Sequence, residues 1–418
     1  MMKKWILSVL AAILMLVVVS LPVYAEESVN SAAAIKFKDV PVSHWAYASI
    51  MNAAGKGYVK GFPDGTFRPN ESVTAAQFIS MLILSLTEKD ESGVVNWSKD
   101  TLDRIPEHVK SKMFYGVQYK FTQGSPWYIN YVNIAKDFSI INNEFEGRYI
   151  EPLTRERTVG IVMGVDNYLV GGIYNSYANL AVSKLKDFTK IEEYYRADVG
   201  GGMIRGIMTS FPDGTWKPKK EITRAEAITI IERINNKSIR NPYMPVMTGV
   251  PYSDVPFYGY TDLQRLVFTN AEMKKVYDTL NSTLEEFQGS YLSNSGTLDY
   301  YKDEEAKEKA IRKLFYFEDF TDPEQYYDMG INFMGNVYFV VINGKSDSLD
   351  RTSETLDKFL SLIFSSNDAA AVRKLINDNI STANRTLNIK KTIGKREVLI
   401  SSSGRNILSV AISAYQDK

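Results

Sequence analysis

The sequence predicts a mostly α assembly of three helix-loop-helix repeats, followed by a separate α+β domain. An eight-residue turn motif occurs twice, and each copy leads into an amphipathic helix. Past Asn241-Pro242 the apolar pattern mixes helical spacing with short β-branched runs, which marks a change of architecture. A chain of 418 residues with 44% hydrophobic and 23% charged content suits two or three folded cores.

The N-terminus reads as a signal peptide over residues 1–25. Lys3 and Lys4 supply the positive start, Trp5 to Val19 the apolar run, and Val23-Tyr24-Ala25 the small-residue cleavage site. That run is shorter than the roughly 20 residues of a membrane span, so the mature chain is expected to be exported, with no membrane attachment after cleavage; the alternative is an uncleaved anchor. Cysteine is absent, which excludes disulfides, thiolate metal sites, thiol catalysis and a lipoprotein anchor. A formal net charge of +0 provides no field toward nucleic acid or an anionic membrane. The 26 tyrosines are read as half-exposed core edges more than as sugar-facing surface. No cofactor and no metal ligand set is predicted.

Phe62-Pro63-Asp64-Gly65-Thr66-Phe67-Arg68-Pro69 recurs as Phe211-Pro212-Asp213-Gly214-Thr215-Trp216-Lys217-Pro218. Pro-Asp-Gly-Thr is a tight turn with glycine free to take a positive φ. Thr74 and Thr223 then read as helix N-caps, with Gln77 and Glu226 completing capping boxes. The helices behind them bury Phe78, Ile79 and Leu82 in one copy, and Ala227, Ile228, Ile231 and Ile234 in the other. A middle copy is degenerate: Thr154-Arg155-Glu156 precedes Val159, Val162 and Val165 at matching offsets. Trp127 stands before Thr154 much as Trp45 stands before Thr74, and Tyr194 and Tyr195 hold that place before Thr223. The repeats are set at 36–86, 119–170 and 188–236.

With Phe37-Lys38-Asp39-Val40-Pro41, His44-Trp45-Ala46, Gly57-Tyr58-Val59-Lys60-Gly61 and Ile222-Thr223-Arg224-Ala225-Glu226 in view, residues 36 to 236 resemble the S-layer homology (SLH) family. The resemblance implies a pseudo-threefold bundle in which grooves between adjacent repeats bind secondary cell-wall polysaccharide, often pyruvylated. A single amphipathic stripe cannot bury itself, so neighbouring copies must share a core. The resemblance also implies site residues. Arg155 and Arg224, just after helix N-caps, are placed for a carboxylate. Trp45 and Trp127 are placed for stacking, Asp39 for sugar hydroxyls, and Gly61 for close backbone approach. Each has a structural alternative: a helix cap for Asp39, core packing for the tryptophans, surface ion pairs for the arginines, loop geometry for Gly61 and first-turn packing for His44. Ala75 replaces the arginine in the first copy, Ser210 replaces Gly61 in the third and Asn143 in the middle one, so the grooves are not equally competent.

Residues 87–118 read as an inserted element, an exposed turn at Glu88–Gly93 followed by a helix. Residues 237–260 read as a linker, and 261–418 as the α+β domain. There, helices are expected around Val276–Phe287, Ala306–Leu314, Leu356–Phe364 and Val372–Ile380. Val337–Ile342 reads as a buried strand, and Glu397–Ser401 with Ile407–Ile412 as a hairpin. This domain has no histidine and no cysteine, which excludes Ser-His-Asp, Cys-His and histidine-zinc chemistry there and leaves paired carboxylates conceivable. The acids Glu318, Asp319, Asp322 and Glu324 read as solvated surface or, at best, a weak calcium site. The expected function is non-covalent wall anchoring at the cell surface, and the chain is not expected to be an enzyme. Its alternatives are a tethered carboxylate-dependent hydrolase or a structural S-layer component.

Overall fold

The computed structural model describes residues 36–107, 109–110, 119–121, 126–313, 327–333 and 335–414. The signal segment at 1–25, His108 and the acids at 318–324 lie outside the described residues. The chain forms two compact units, one ending at Arg68 and one running from Pro69.

In the first unit, helix α1 (Tyr47–Gly55) buries Ile50 and Ala53. Gly57, at φ 79°, turns the chain out of the helix. In the following turn the Phe62 amide donates to the Thr66 carbonyl at 2.8 Å, and the Gly65 amide to the Phe62 carbonyl at 2.9 Å. Arg68 then takes φ 60°, a strained conformation for a residue with a side chain. Asp39 holds it there: its carboxylate accepts from the amides of Phe67 and Arg68, both at 2.7 Å. Asp39 therefore latches the turn and caps no helix.

The second unit begins with α2 (Ala75–Leu86), capped by the expected box of Thr74 and Gln77. The insert forms strands β1 (Thr87–Lys89) and β2 (Val94–Trp97), short helix α3 (Lys99–Asp103) and β3 (Tyr119–Lys120), which pairs with β2. The expected turn is present, but it closes a hairpin before any helix forms. Helices α4 (Ile129–Asp137) and α5 (Arg155–Val170) lie in the segment read from the sequence as the middle repeat; α6 (Asn175–Val182) leads to the one read as the third, which holds α7 (Arg196–Ile204) and α8 (Arg224–Asn235). Thr223 and Glu226 form the second capping box. Thr154 makes no side-chain cap, and Arg157, at the third following position, offers no acceptor for the reciprocal bond of a capping box.

The residues just before the three N-caps are joined in a closed ring. The Leu153 amide donates to Val73 at 2.8 Å, Ile222 to Leu153 at 3.0 Å, and Val73 to Ile222 at 3.1 Å. All three side chains are buried. Each helix also gives its first amides to the next repeat's turn. Ala75 and Ala76 donate to Glu151 and Tyr149, Arg155 and Glu156 to Lys220 and Pro218, and Arg224 and Ala225 to Glu71 and Pro69. Amides that a helix cannot pair internally are thereby satisfied.

The C-terminal region is α+β. After the β4 (Tyr252–Val255) and β5 (Gln264–Val267) ribbon and α9 (Ala271–Asn281), strands β6 (Ser290–Asn294) and β7 (Thr297–Tyr301) form a hairpin. Helix α10 (Glu304–Ile311), β8 (Tyr327–Asn332), β9 (Val337–Asn343), α11 (Ser346–Ile363), α12 (Ser366–Ile380), β10 (Thr386–Ile393), β11 (Arg396–Ser403) and β12 (Ile407–Ser413) follow. The antiparallel sheet runs β10-β11-β12-β9-β8-β7-β6. The expected β11–β12 hairpin is present, with Ser401 opposite Ser409. β9 is buried on one face only: Tyr338, Val340 and Ile342 face the core with Phe359 and Leu356, whereas Val337 and Phe339 are exposed.

Residues 237–260 are pinned rather than free. Arg240 pairs with buried Asp166 at 2.8 Å, and Tyr243 donates its amide to Met203 at 2.9 Å. The Tyr260 hydroxyl reaches the Asn167 carbonyl at 3.2 Å. Arg265, paired with Asp254 at 2.9 Å, stacks 4.5 Å over Tyr252 and 5.6 Å over Tyr177 of α6.

On β7, Asp299 lies opposite Gly330 of β8, where a Cβ would stand 2.7 Å from its carboxylate oxygen. Burial pushes this carboxyl up to about 7. The unfolded group ionises near 4, so folded stability declines as pH rises from about 4 to 7 and the penalty persists above. Asp299→Asn is expected to raise stability at pH 8 by about 1–3 kcal/mol and to change it little at pH 4, as measured by thermal unfolding at both pH values.

Candidate functional site

The same turn is built twice from the same parts. Phe211 donates its amide to Thr215 at 2.8 Å and Gly214 to Phe211 at 2.9 Å, as in the first copy. Asp64 and Asp213 each accept from the hydroxyl of the threonine two residues on, at 2.5 and 2.6 Å, and from its amide at 2.9 Å, and these hydrogen bonds hold both carboxyls down at about 2. Lys217 takes φ 56°, as Arg68 does, and Asp187 accepts from the Trp216 and Lys217 amides at 2.8 Å. Asp187 is thus the counterpart of Asp39, a residue the sequence reading missed. The signal was present in Lys186-Asp187, which repeats Lys38-Asp39, but the pairing spans about thirty residues and no local rule finds it.

Arg155, the first residue of α5, lies beneath the third repeat's turn. Its Nε donates to the Trp216 carbonyl at 2.8 Å and its Nη2 to the Thr209 carbonyl at 2.7 Å. The guanidinium sits between the Phe211 and Trp216 rings, 4.7 and 4.6 Å from their centroids. Only 6% of the residue is exposed. Burial lowers its pKa to about 10, which still leaves it charged at neutral pH. Arg224 holds the matching place on α8 and is 9% exposed. Ala75 holds it on α2.

The tryptophans are on the surface. Trp45 is 64% exposed and Trp127 59%, and Tyr194, at the same place in the third repeat, is 66% exposed. Each lies just before its repeat's first helix, and the apolar residues that follow fill the core instead. The core reading of Trp45 and Trp127 is therefore replaced by an exposed aromatic in every repeat. Gly61 is fixed by packing, since a Cβ there would stand 2.4 Å from the Phe37 ring and 2.9 Å from the Thr66 carbonyl. His44 is part-buried and accepts from the Ala46 amide at 3.1 Å, opening the first helix.

Between the middle and third repeats lies a cavity of about 190 Å³. Asn142 donates to the Tyr194 hydroxyl at 2.8 Å. Arg157 of α5 pairs with Glu144 at 3.2 Å, and Glu144 also accepts from the Tyr195 hydroxyl. Asp198 of α7 completes the wall, and burial raises its carboxyl to about 7. Among the described residues, no cluster of acids and histidines could hold a metal ion, and no helix is long and apolar enough to cross a membrane.

The model of the S-layer homology domain matches residues 36–79 and 205–228. The chain is 27% identical over 205 residues to an amylopullulanase of Thermoanaerobacterium thermosulfurigenes, covering 48% of this chain and 10% of that protein. It is 25% identical over 222 residues to S-layer protein EA1 of Bacillus anthracis, covering 50% of this chain and 21% of that one. Over 64 residues it is 38% identical to cell surface glycoprotein 1 of Acetivibrio thermocellus, covering 15% of this chain and 3% of that one. The chain thus matches only a small part of the length of each relative.

Removing the Arg155 side chain strands two turn carbonyls and empties the space between two rings. Arg155→Ala is expected to cost about 2–4 kcal/mol in denaturant unfolding, and Arg155→Lys less. Equal stability for all three proteins would contradict a structural role for this guanidinium.

Proposed function

We propose, from a chain that carries S-layer homology repeats and acts at the cell surface, that the repeats hold it to the wall by binding secondary cell-wall polysaccharide, in pyruvylated form where the wall carries it. In this reading the repeats pack as a pseudo-threefold bundle and display the C-terminal α+β region. The closed ring through Val73, Leu153 and Ile222 supports that packing. The observation that carries the binding reading is the exposed aromatic at one place in all three repeats: Trp45, Trp127 and Tyr194. Exposing three large rings has no packing benefit, and a flat apolar face suits the C–H face of a sugar.

The other residues have supporting roles in this proposal. Arg155 and Arg224, both buried, act from behind the turns: their fixed positive charge beside helix N-termini favours a ketal carboxylate at the surface without touching it. Asp39 and Gly61 shape the turn over which the glycan runs. A second reading, a surface hydrolase tethered by the same repeats, draws on the amylopullulanase among the relatives. It requires two carboxyls facing each other across a cleft of the C-terminal region.

The full chain is expected to sediment with native wall sacculi and not with sacculi stripped of secondary polymer. Combined Trp45→Ala, Trp127→Ala and Tyr194→Ala should weaken sedimentation at least about tenfold, the loss of base-like stacking worth about 1–3 kcal/mol per ring, with an unchanged melting temperature. Equal binding to native and stripped sacculi would sink the polysaccharide reading.

A further inference from the structure

The groove between the middle and third repeats differs from what an acidic ligand needs. Arg155 enters beneath the third repeat's turn from the helix of the middle repeat. The middle repeat's turn is approached in the same way by α2 of the first repeat, whose Ala75 and Ala76 amides bond to Glu151 and Tyr149. The side chain at that entry is the Ala75 methyl group, so the first repeat gives this turn no guanidinium, and the Arg157 that reaches the turn lies 3.7 Å from the Glu151 carboxylate. The cation lining the groove, Arg157, is committed to Glu144. That ion pair balances the Glu144 charge, and Glu144 also accepts from the Tyr195 hydroxyl.

Asp198 is the remaining acid of the groove. Burial favours its protonated form up to about pH 7, and an ionised Asp198 would repel a carboxylate. The groove is thus close to uncharged below about pH 7 and turns negative above it. Its remaining equipment is polar and aromatic: the Asn142 amide, fixed on the Tyr194 hydroxyl at 2.8 Å, and the exposed Tyr194 ring set 84° from Tyr195. Gly160 lets the Tyr195 ring pack closely on the helix, since a Cβ there would stand 3.0 Å from that ring. A volume of about 190 Å³ equals roughly six waters at about 30 Å³ each, which accommodates one pyranose ring.

We propose that this groove binds an uncharged pyranose unit and rejects an acidic one. The proposal rests on the carbohydrate-anchor reading above and assigns this groove a ligand of different charge. The side chains suit such a ligand, because amide, carboxyl and phenol groups match sugar hydroxyls while tyrosine covers the C–H face.

The test uses the full chain carrying Trp45→Ala and Trp127→Ala, so that the exposed ring of this groove is the one retained. Saturation-transfer NMR at pH 6.5 would compare methyl β-glucoside, methyl β-glucuronide and methyl β-glucosaminide, which share a ring and differ in charge. The glucoside is expected to be saturated, the two charged analogues at least about fivefold less, and the glucoside signal lost on adding Tyr194→Ala. Saturation of the glucuronide or glucosaminide equal to or above the glucoside overturns the proposal, as does a glucoside signal that survives Tyr194→Ala. Absence of any glycoside signal, with sedimentation of the unmodified chain on native sacculi intact, overturns this proposal and leaves the anchor reading standing. Loss of sedimentation as well removes both.

Discussion

The repeat region depends on the hydrogen bonds that tie each helix N-terminus to the turn of the next repeat. A helix leaves its first amides without internal partners, and a buried amide left unpaired costs about 1–3 kcal/mol. Here the ring of Val73, Leu153 and Ile222 and the amides of the following helix residues find those partners across repeats. Each repeat both gives and receives such bonds, so no repeat can complete its own helix start. The segment read as a degenerate middle copy keeps its place in this network. Its turn lacks Pro-Asp-Gly-Thr, yet Glu151 and Tyr149 still offer carbonyls to α2, and Leu153 still closes the ring.

The turns themselves are held by a second device. Asp39 and Asp187 each grip two successive amides and keep Arg68 and Lys217 in a left-handed conformation. That geometry fixes the carbonyls of the turn, and in the third repeat the carbonyls of Trp216 and Thr209 receive the Arg155 guanidinium. Rigid turns, a buried cation and an exposed aromatic therefore belong to one construction. Binding chemistry at the edge of this construction inherits its positions from the ring and from the two aspartates.

Legibility in the sequence followed the range of the interaction. The capping boxes at Thr74 and Thr223 could be read directly, because their partners lie three residues away. The core positions of α2, α5 and α8 could be read because helical spacing places them on one stripe, and all are buried. Trp45 and Trp127 could not be assigned a face, since an aromatic just ahead of a helix has no neighbours in sequence that fix its direction. The target of Arg155 was equally hidden: its N-cap neighbourhood suggested a free anion site, but the turn it enters lies more than fifty residues onward. In the C-terminal region, the apolar run of β9 suggested burial on both faces, whereas its neighbours in the sheet leave Phe339 exposed. The β6–β7 hairpin was missed although Ser295 and Gly296, both at positive φ, form a recognisable turn.

The measurement that tests this account most directly is amide hydrogen exchange at Val73, Leu153 and Ile222 in the full chain and in Leu153→Pro, which removes one donor of the ring. The three amides are expected to be strongly protected to a similar degree, and Leu153→Pro is expected to lower protection at Val73 and Ile222 together. Unchanged protection at those two positions in the variant would contradict the claim that the ring couples the repeats.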